Sequence, residues 1–282
     1  MECGKENRED MLKHLAESKP LDEYEDLSFK EIHYLIYDPY CQNSPLSLNE
    51  TIDPEILVKI PFYNLVKYFL DFVKQIQPIK INTNGNLPLK IIKPIYDQHF
   101  IDEDFEDLHK LKFIRHSRSL AVKNARIITD LAGLTITKDK EFNITRKGEK
   151  YSSIVNSSKL FGEVIKTFTT QFNWSYNDGF GNNNIGQFGF AYLLRLISNY
   201  GNLPRTVKFY IDKYYNVFKA VLINSDEQEF QKDFFHKCFL LRAFYRFLNW
   251  FGLIKFSAEI NQTPGEYIIE KSDIFDAIIH FD

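Results

Sequence analysis

The sequence predicts a mainly α-helical protein with small β hairpins, organised as tandem winged-helix-like units. Apolar residues recur at helical spacing through most of the chain. Two stretches of alternating apolar and polar residues, each following a Gly-Leu step, read as hairpins. The second stretch repeats the order of elements around the first, which is the mark of a duplicated supersecondary unit. With 282 residues, 44% of them hydrophobic and 26% charged, the chain can bury more than one small core and is not disordered along its length. Its 26 Phe and 16 Tyr imply an interior packed largely with rings.

Residues 1–54 form an acidic lead-in and an extended segment. Ten acids face five bases in the first 31 residues, and Tyr37-Asp38-Pro39-Tyr40 through Ser44-Pro45 is extended because residues before proline avoid the helical region. Residues 55–155 form the first winged-helix-like unit. Phe62, Leu65, Val66, Phe69, Leu70, Val73 and Ile76 mark one face of a helix running from Pro61 to just before Pro78. A short β-like stretch, Ile79-Lys80-Ile81-Asn82, leads through Asn84-Gly85-Asn86-Leu87-Pro88 into another helix. Residues 105–116 read as a further helix or irregular turn. Leu120, Asn124, Ile127, Ile128 and Leu131 then mark the inner face of a third helix ending at Gly133. Leu134–Thr137 and Phe142–Thr145 form a hairpin around the charged turn 138–141.

Residues 156–282 form the second helical domain. A weakly periodic segment at 157–172 and a polar, glycine-rich loop at 173–184 precede helices expected at 187–200, 204–224 and 227–251. Leu248-Asn-Trp-Phe-Gly252-Leu253, a hairpin, and Ile268-Ile-Glu-Lys271 then echo Ile128-Thr-Asp-Leu-Ala-Gly133-Leu134, a hairpin, and Ile144-Thr-Arg-Lys147. In both, a short helix follows the return strand.

The charge pattern carries the functional reading. The whole chain is at −3 with pI near 6.2, so it is no general polyanion binder. Residues 110–150, however, hold eleven bases against four acids, a net +7 that leaves −10 for the rest. Arg118, Val122 and Arg126 lie four apart on the third helix, opposite its apolar stripe, with Lys123 beside them and Arg115 just before. With Lys138 and Lys140 at the hairpin tip, Arg115, Arg118, Lys123 and Arg126 form the expected nucleic-acid contact. Four neutralised phosphates would give a log-log salt slope of about −3.6. The alternative is a protein-interaction or assembly module, with a protein partner or a second copy held by aromatics such as Tyr37, Tyr40, Phe180 or Tyr214.

Other chemistry finds little support. Cys3, Cys41 and Cys238 are too scattered for a zinc site or disulfide framework, and the seven histidines show no HExxH pair. No metal, cofactor or catalytic residue is predicted, and no GxSxG elbow is present, so the chain is read as a binding protein and not an enzyme. The loop Gly179–Gly189 lacks the Lys-Ser/Thr of a phosphate cradle and reads as a flexible connection. Arg242 and Arg246 share a face of the last long helix that meets water or the first unit. A charged N-terminus, the absence of an unbroken apolar span and free thiols place the chain in the cytoplasm, off the membrane.

Leu27-Ser-Phe-Lys-Glu-Ile-His33 with Tyr37-Asp-Pro-Tyr40, Ile81-Asn-Thr-Asn-Gly-Asn-Leu-Pro88, Ile144-Thr-Arg-Lys-Gly148, and Phe172-Asn-Trp174 with Asp178-Gly179 are short motifs spread over residues 27–200. In them the chain resembles a group of bacterial proteins, without an assigned activity, related to the plasmid ORF-3-like family and to proteins carrying a SEC-C zinc motif. The resemblance implies a bacterial cytoplasmic protein. The cysteine-rich tail of some of those proteins is absent, so neither a zinc site nor a catalytic residue carries over.

Overall fold

The computed structural model describes residues 19–21, 24–101, 120–181, 183–222, 228–257 and 267–282. About 55% of the chain is helical and 12% strand, in small antiparallel sheets. Helix α1 (Phe29–Tyr37) starts at a reciprocal cap, in which the Ser28 N–H donates to Glu31 Oε2 at 2.7 Å and the Glu31 N–H to Ser28 Oγ at 3.3 Å. Strand β1 (Leu46–Leu48) and the short helix α2 (Pro54–Leu57) lead to α3 (Pro61–Ile76). Its predicted stripe is buried from Phe62 to Val73, with Pro61 in the first turn.

Then follow β2 (Ile79–Lys80), α4 (Leu89–Tyr96), α5 (Leu120–Leu131), β3 (Thr135–Lys138), β4 (Glu141–Ile144), α6 (Arg146–Tyr151) and α7 (Ser157–Thr170). The expectation for 105–116 lies outside the described residues. The hairpin turns on Asp139 and Lys140, both at positive φ (52° and 63°), the two-residue geometry whose twist matches paired strands. Strand β2 joins the return strand, giving the order β2-β4-β3.

The C-terminal half repeats this order. Helix α8 (Phe190–Tyr200), β5 (Arg205–Thr206), α9 (Val207–Leu222), α10 (Gln228–Phe239) with a π-helical continuation (Leu240–Asn249), β6 (Ile254–Phe256) and β7 (Ile268–Lys271) follow in turn, the strands forming a sheet ordered β5-β7-β6. Helix α11 (Asp273–Ile278) and β8 (Ile279–Phe281) end the chain. The predicted helix at 204–224 begins later than expected, because Arg205 and Thr206 pair with Ile269 and Ile268 before the helix starts. The expected turn of the second hairpin, Gln262-Thr263-Pro264-Gly265 in the sequence, lies outside the described residues.

The echo extends to single hydrogen bonds. Gly133 and Gly252 both have φ near +66°, which glycine adopts without strain. Gly133 and Leu134 donate to the carbonyls three and five residues back, and Gly252 and Leu253 do the same. The Thr145 N–H donates to Leu134 O and its hydroxyl to Gly133 O, while Ser272 bonds Leu253 O and Gly252 O in the same way. Each hydroxyl oxygen then accepts a helix N–H, from Gly148 for α6 and from Phe275 for α11. A side chain at Gly148 would collide with the Leu134 carbonyl and the Ile144 side chain, so this position requires glycine.

One apolar cluster runs through both halves. Phe168 of α7 stands at its centre, with ring centroids 5.0 Å from Phe251, 5.4 Å from Trp174 and 5.6 Å from Phe62. Phe62 stacks on Trp250 at 5.5 Å and donates its N–H to the Trp250 carbonyl. Strands β1 and β8 pair, tying the extended N-terminal segment to the end of the chain. A second tie joins Glu25, whose carboxylate lies 2.7 Å from Lys213 Nζ, while that ammonium sits 4.6 Å above the Tyr200 ring.

Phe168→Ala is expected to cost about 3–5 kcal/mol in one urea transition seen alike by near- and far-UV dichroism; two separate transitions would contradict a shared core. Burial raises the Glu25 pKa, but hydrogen bonds from Lys213, Tyr200 and Asn199 outweigh it and hold the carboxyl below its ordinary 4.5. The tie therefore contributes fully above pH 4.5 and is lost as pH falls through the lower folded value. Glu25→Gln should flatten that part of a plot of Tm against pH.

Candidate nucleic-acid interface

The +7 segment is held by α5 and the β3–β4 hairpin. Helix α5 packs against α3, α4 and α7, and this crowding decides which of its side chains reach the surface. Val122, expected on the open face, is only 3% exposed. Leu131, expected inside, is partly exposed, so the buried face is rotated towards Ala121, Val122 and Ala125. Sequence periodicity missed this because small alanines let neighbouring elements approach closely. Arg115 and Arg118 lie outside the described residues.

The remaining four predicted cations divide into two kinds. Lys138 and Lys140 are exposed at the hairpin tip, with Lys80 in the same cross-strand row beyond Glu141. Arg126 is half-buried. Its guanidinium lies 5.4 Å over the Phe142 ring and 3.8 Å from Asp130 Oδ2, so it braces the hairpin from the helix. Burial raises the Asp130 pKa, against the opposing pull of the Thr135 hydroxyl and the Arg126 charge. Lys123 is half-buried and, like Lys138 and Lys140, has no carboxylate within 4 Å among the described residues. In the C-terminal half, by contrast, Lys208, Lys213, Lys232, Lys237, Lys255 and Lys271 each face a carboxylate.

Lys123 and Arg126 border a recess of about 30 Å³, together with Asn86 from the turn before α4, Tyr176 and the apolar side chains of Leu87, Ile92, Val122 and Ile127. No sequence signal pointed to Tyr176, because it reaches this place through the loop between α7 and α8. That loop is not the flexible connection expected. Among its described residues it wraps the Arg242 guanidinium: Nε donates to Asp178 Oδ2 at 2.5 Å, Nη1 to Asn183 O, Asn183 Oδ1 and Ile185 O, and Nη2 to Gly181 O at 3.0 Å. Arg242 and Asp178 are fully buried, so the predicted solvent-facing or inter-unit role of Arg242 is replaced by an internal one. Arg246 is buried too, and its Nη1 reaches the Tyr176 carbonyl at 3.4 Å.

The aromatic anchors are also redistributed. Tyr37 is exposed, but Phe180 and Tyr214 are buried and the Tyr40 hydroxyl is held 2.9 Å from Thr169 Oγ1. Burial pushes the Cys238 thiol up to about 12, which leaves it without the thiolate character of a nucleophile. A groove of about 410 Å³ beside Tyr37 and Gln187 has its Gln187 amide committed to Thr169 O, Phe172 O and the Trp174 N–H. No group of three metal-ligating side chains occurs among the described residues. Nor is any described helix long and apolar enough to cross a membrane.

Asp178→Ala strands a buried guanidinium and is expected to cost about 3–5 kcal/mol in thermal unfolding. Replacing the pair together, Asp178→Leu with Arg242→Met, should cost clearly less than Asp178→Ala alone; equal losses would show that the pair does not act as a unit. No family model, curated protein or solved structure matches the chain, so its function is read from these residues.

Proposed function

We propose that the chain is a nucleic-acid-binding protein of two winged-helix-like units, in which the N-terminal unit contacts phosphates through Lys123, Lys138 and Lys140. The order helix, strand, helix, helix, hairpin, with the first strand added to the return strand, supports the winged-helix reading in both halves. The observation that carries the functional reading is that Lys123 on the third helix and Lys138 and Lys140 at the hairpin tip have no carboxylate within 4 Å among the described residues, while most described C-terminal lysines are paired. Unpaired cations keep their charge available for counterion release. Arg126 braces the hairpin from the helix through the Phe142 ring. The C-terminal unit turns Arg242 and Arg246 inward and serves as scaffold. A bacterial cytoplasmic setting belongs to the same reading.

A second reading rests on the turn after α6, where Ile154 is 81% and Val155 94% exposed. Two neighbouring apolar side chains in water suit a protein partner or a second copy.

Fluorescence anisotropy with a labelled duplex should give binding at low salt with a log-log slope of about −2.7 for three phosphate contacts. Lys138→Glu with Lys140→Glu should weaken binding at least tenfold and flatten the slope. Binding absent at low salt, or untouched by that double reversal, would remove the reading. Under the second reading, Ile154→Ser with Val155→Ser would dissociate a complex or dimer seen by sedimentation.

A further inference from the structure

We propose that the recess beside α5 is a seat for two oxygens of one phosphate group, in which Lys123, Arg126, Asn86 and Tyr176 supply the polar groups and Leu87, Ile92, Val122 and Ile127 the apolar part of the wall. Two cations one helical turn apart border it, and neither is fully used elsewhere. Lys123 has no carboxylate within 4 Å among the described residues. Arg126 Nη2 stands 3.8 Å from Asp130 Oδ2, too far for a hydrogen bond, and its Nε is shut off from solvent with no hydrogen-bond partner. With Asp130 beyond hydrogen-bond reach of Nη2, the guanidinium is open to another acceptor there, and its planar geometry favours phosphate and carboxylate oxygens.

The walls are fixed before any ligand arrives. Asn82 Oδ1 accepts the N–H groups of Asn84 and Asn86, holding the turn that carries Asn86. On the other side, the Tyr176 carbonyl accepts from Arg246, and its ring lies 6.2 Å from Phe172. A preordered site loses little entropy on binding. A volume of about 30 Å³ holds two water-sized groups, each needing about 10–15 Å³. Two oxygens therefore enter while the phosphorus and its substituents stay at the mouth. The opposing charges are Asp130 alone on α5 and none from Asn86 or Tyr176. The seat gives the nucleic-acid reading a position for one phosphate and depends on that reading only for the source of the phosphate.

The test uses the full chain with ¹⁵N-labelled arginine, following the Arg126 Nε–H resonance, assigned by its loss in Arg126→Lys. Inorganic phosphate should shift it saturably, while sodium chloride at equal ionic strength should not. Lys123→Gln is expected to raise half-saturation about tenfold and the conservative Tyr176→Phe about threefold. A shift that is absent, linear, or indifferent to both variants overturns the seat. If a short duplex binds with salt sensitivity yet leaves the resonance unmoved, the seat falls and nucleic-acid binding stands. If phosphate saturates the shift while no duplex binds, the seat stands and its ligand is a free phosphate.

Discussion

The Arg242 guanidinium sits where no water reaches it, and its N–H groups all need acceptors inside the protein. Asp178, Gly181, Asn183 and Ile185 supply them from one loop. A segment so rich in glycine has many conformations, and the guanidinium selects the one that brings these oxygens to a common centre. Asp178 is held in turn by the Phe180 N–H. The continuation of the same helix places Arg246 against the Tyr176 carbonyl, so a charge buried in the C-terminal half determines where Tyr176 meets Lys123 and Arg126 of the N-terminal half.

The two halves share a topology and divide the work. Each closes a helix on Gly-Leu, returns through a hairpin and caps a short helix with a hydroxyl side chain that also bonds the Gly carbonyl. These bonds satisfy the helix ends whatever the surface residues are, which leaves surface charge free to differ between copies. In the first half Lys123, Lys138 and Lys140, on the third helix and hairpin, have no carboxylate within 4 Å among the described residues. In the second, the corresponding helix spends its arginines on the interior, and its flanking lysines face carboxylates. Phe168 and its ring neighbours join the halves into one core, which keeps the loop bearing Tyr176 in fixed register with α5.

Much of this was legible in the sequence because it follows from strong local patterns. The stripe from Phe62 to Val73, the Gly133 and Gly252 stops and the hairpin around Asp139 each depend on spacing over a few residues, and each forms as read. Strands β1 and β5 were missed because two or three residues carry no period; they are strands only through Phe281 and Ile269 across the sheet. The charge run located the candidate surface but not its members' exposure. Val122 goes inside and Arg126 leans on Phe142 because packing by α3, α4 and α7, not helical period alone, sets the open face. Arg242 is the sharpest case: spacing put it on a polar face, whereas the acceptors that draw it inward lie some sixty residues earlier in the chain.

The most direct test of the account is photo-crosslinking of the full chain to a thiothymidine-substituted duplex at low salt, followed by peptide mapping. Adducts on the peptides containing Lys123 and the hairpin tip, Lys138 to Lys140, are predicted. Adducts confined to residues 190–282, or none while the duplex is present in excess, would contradict it.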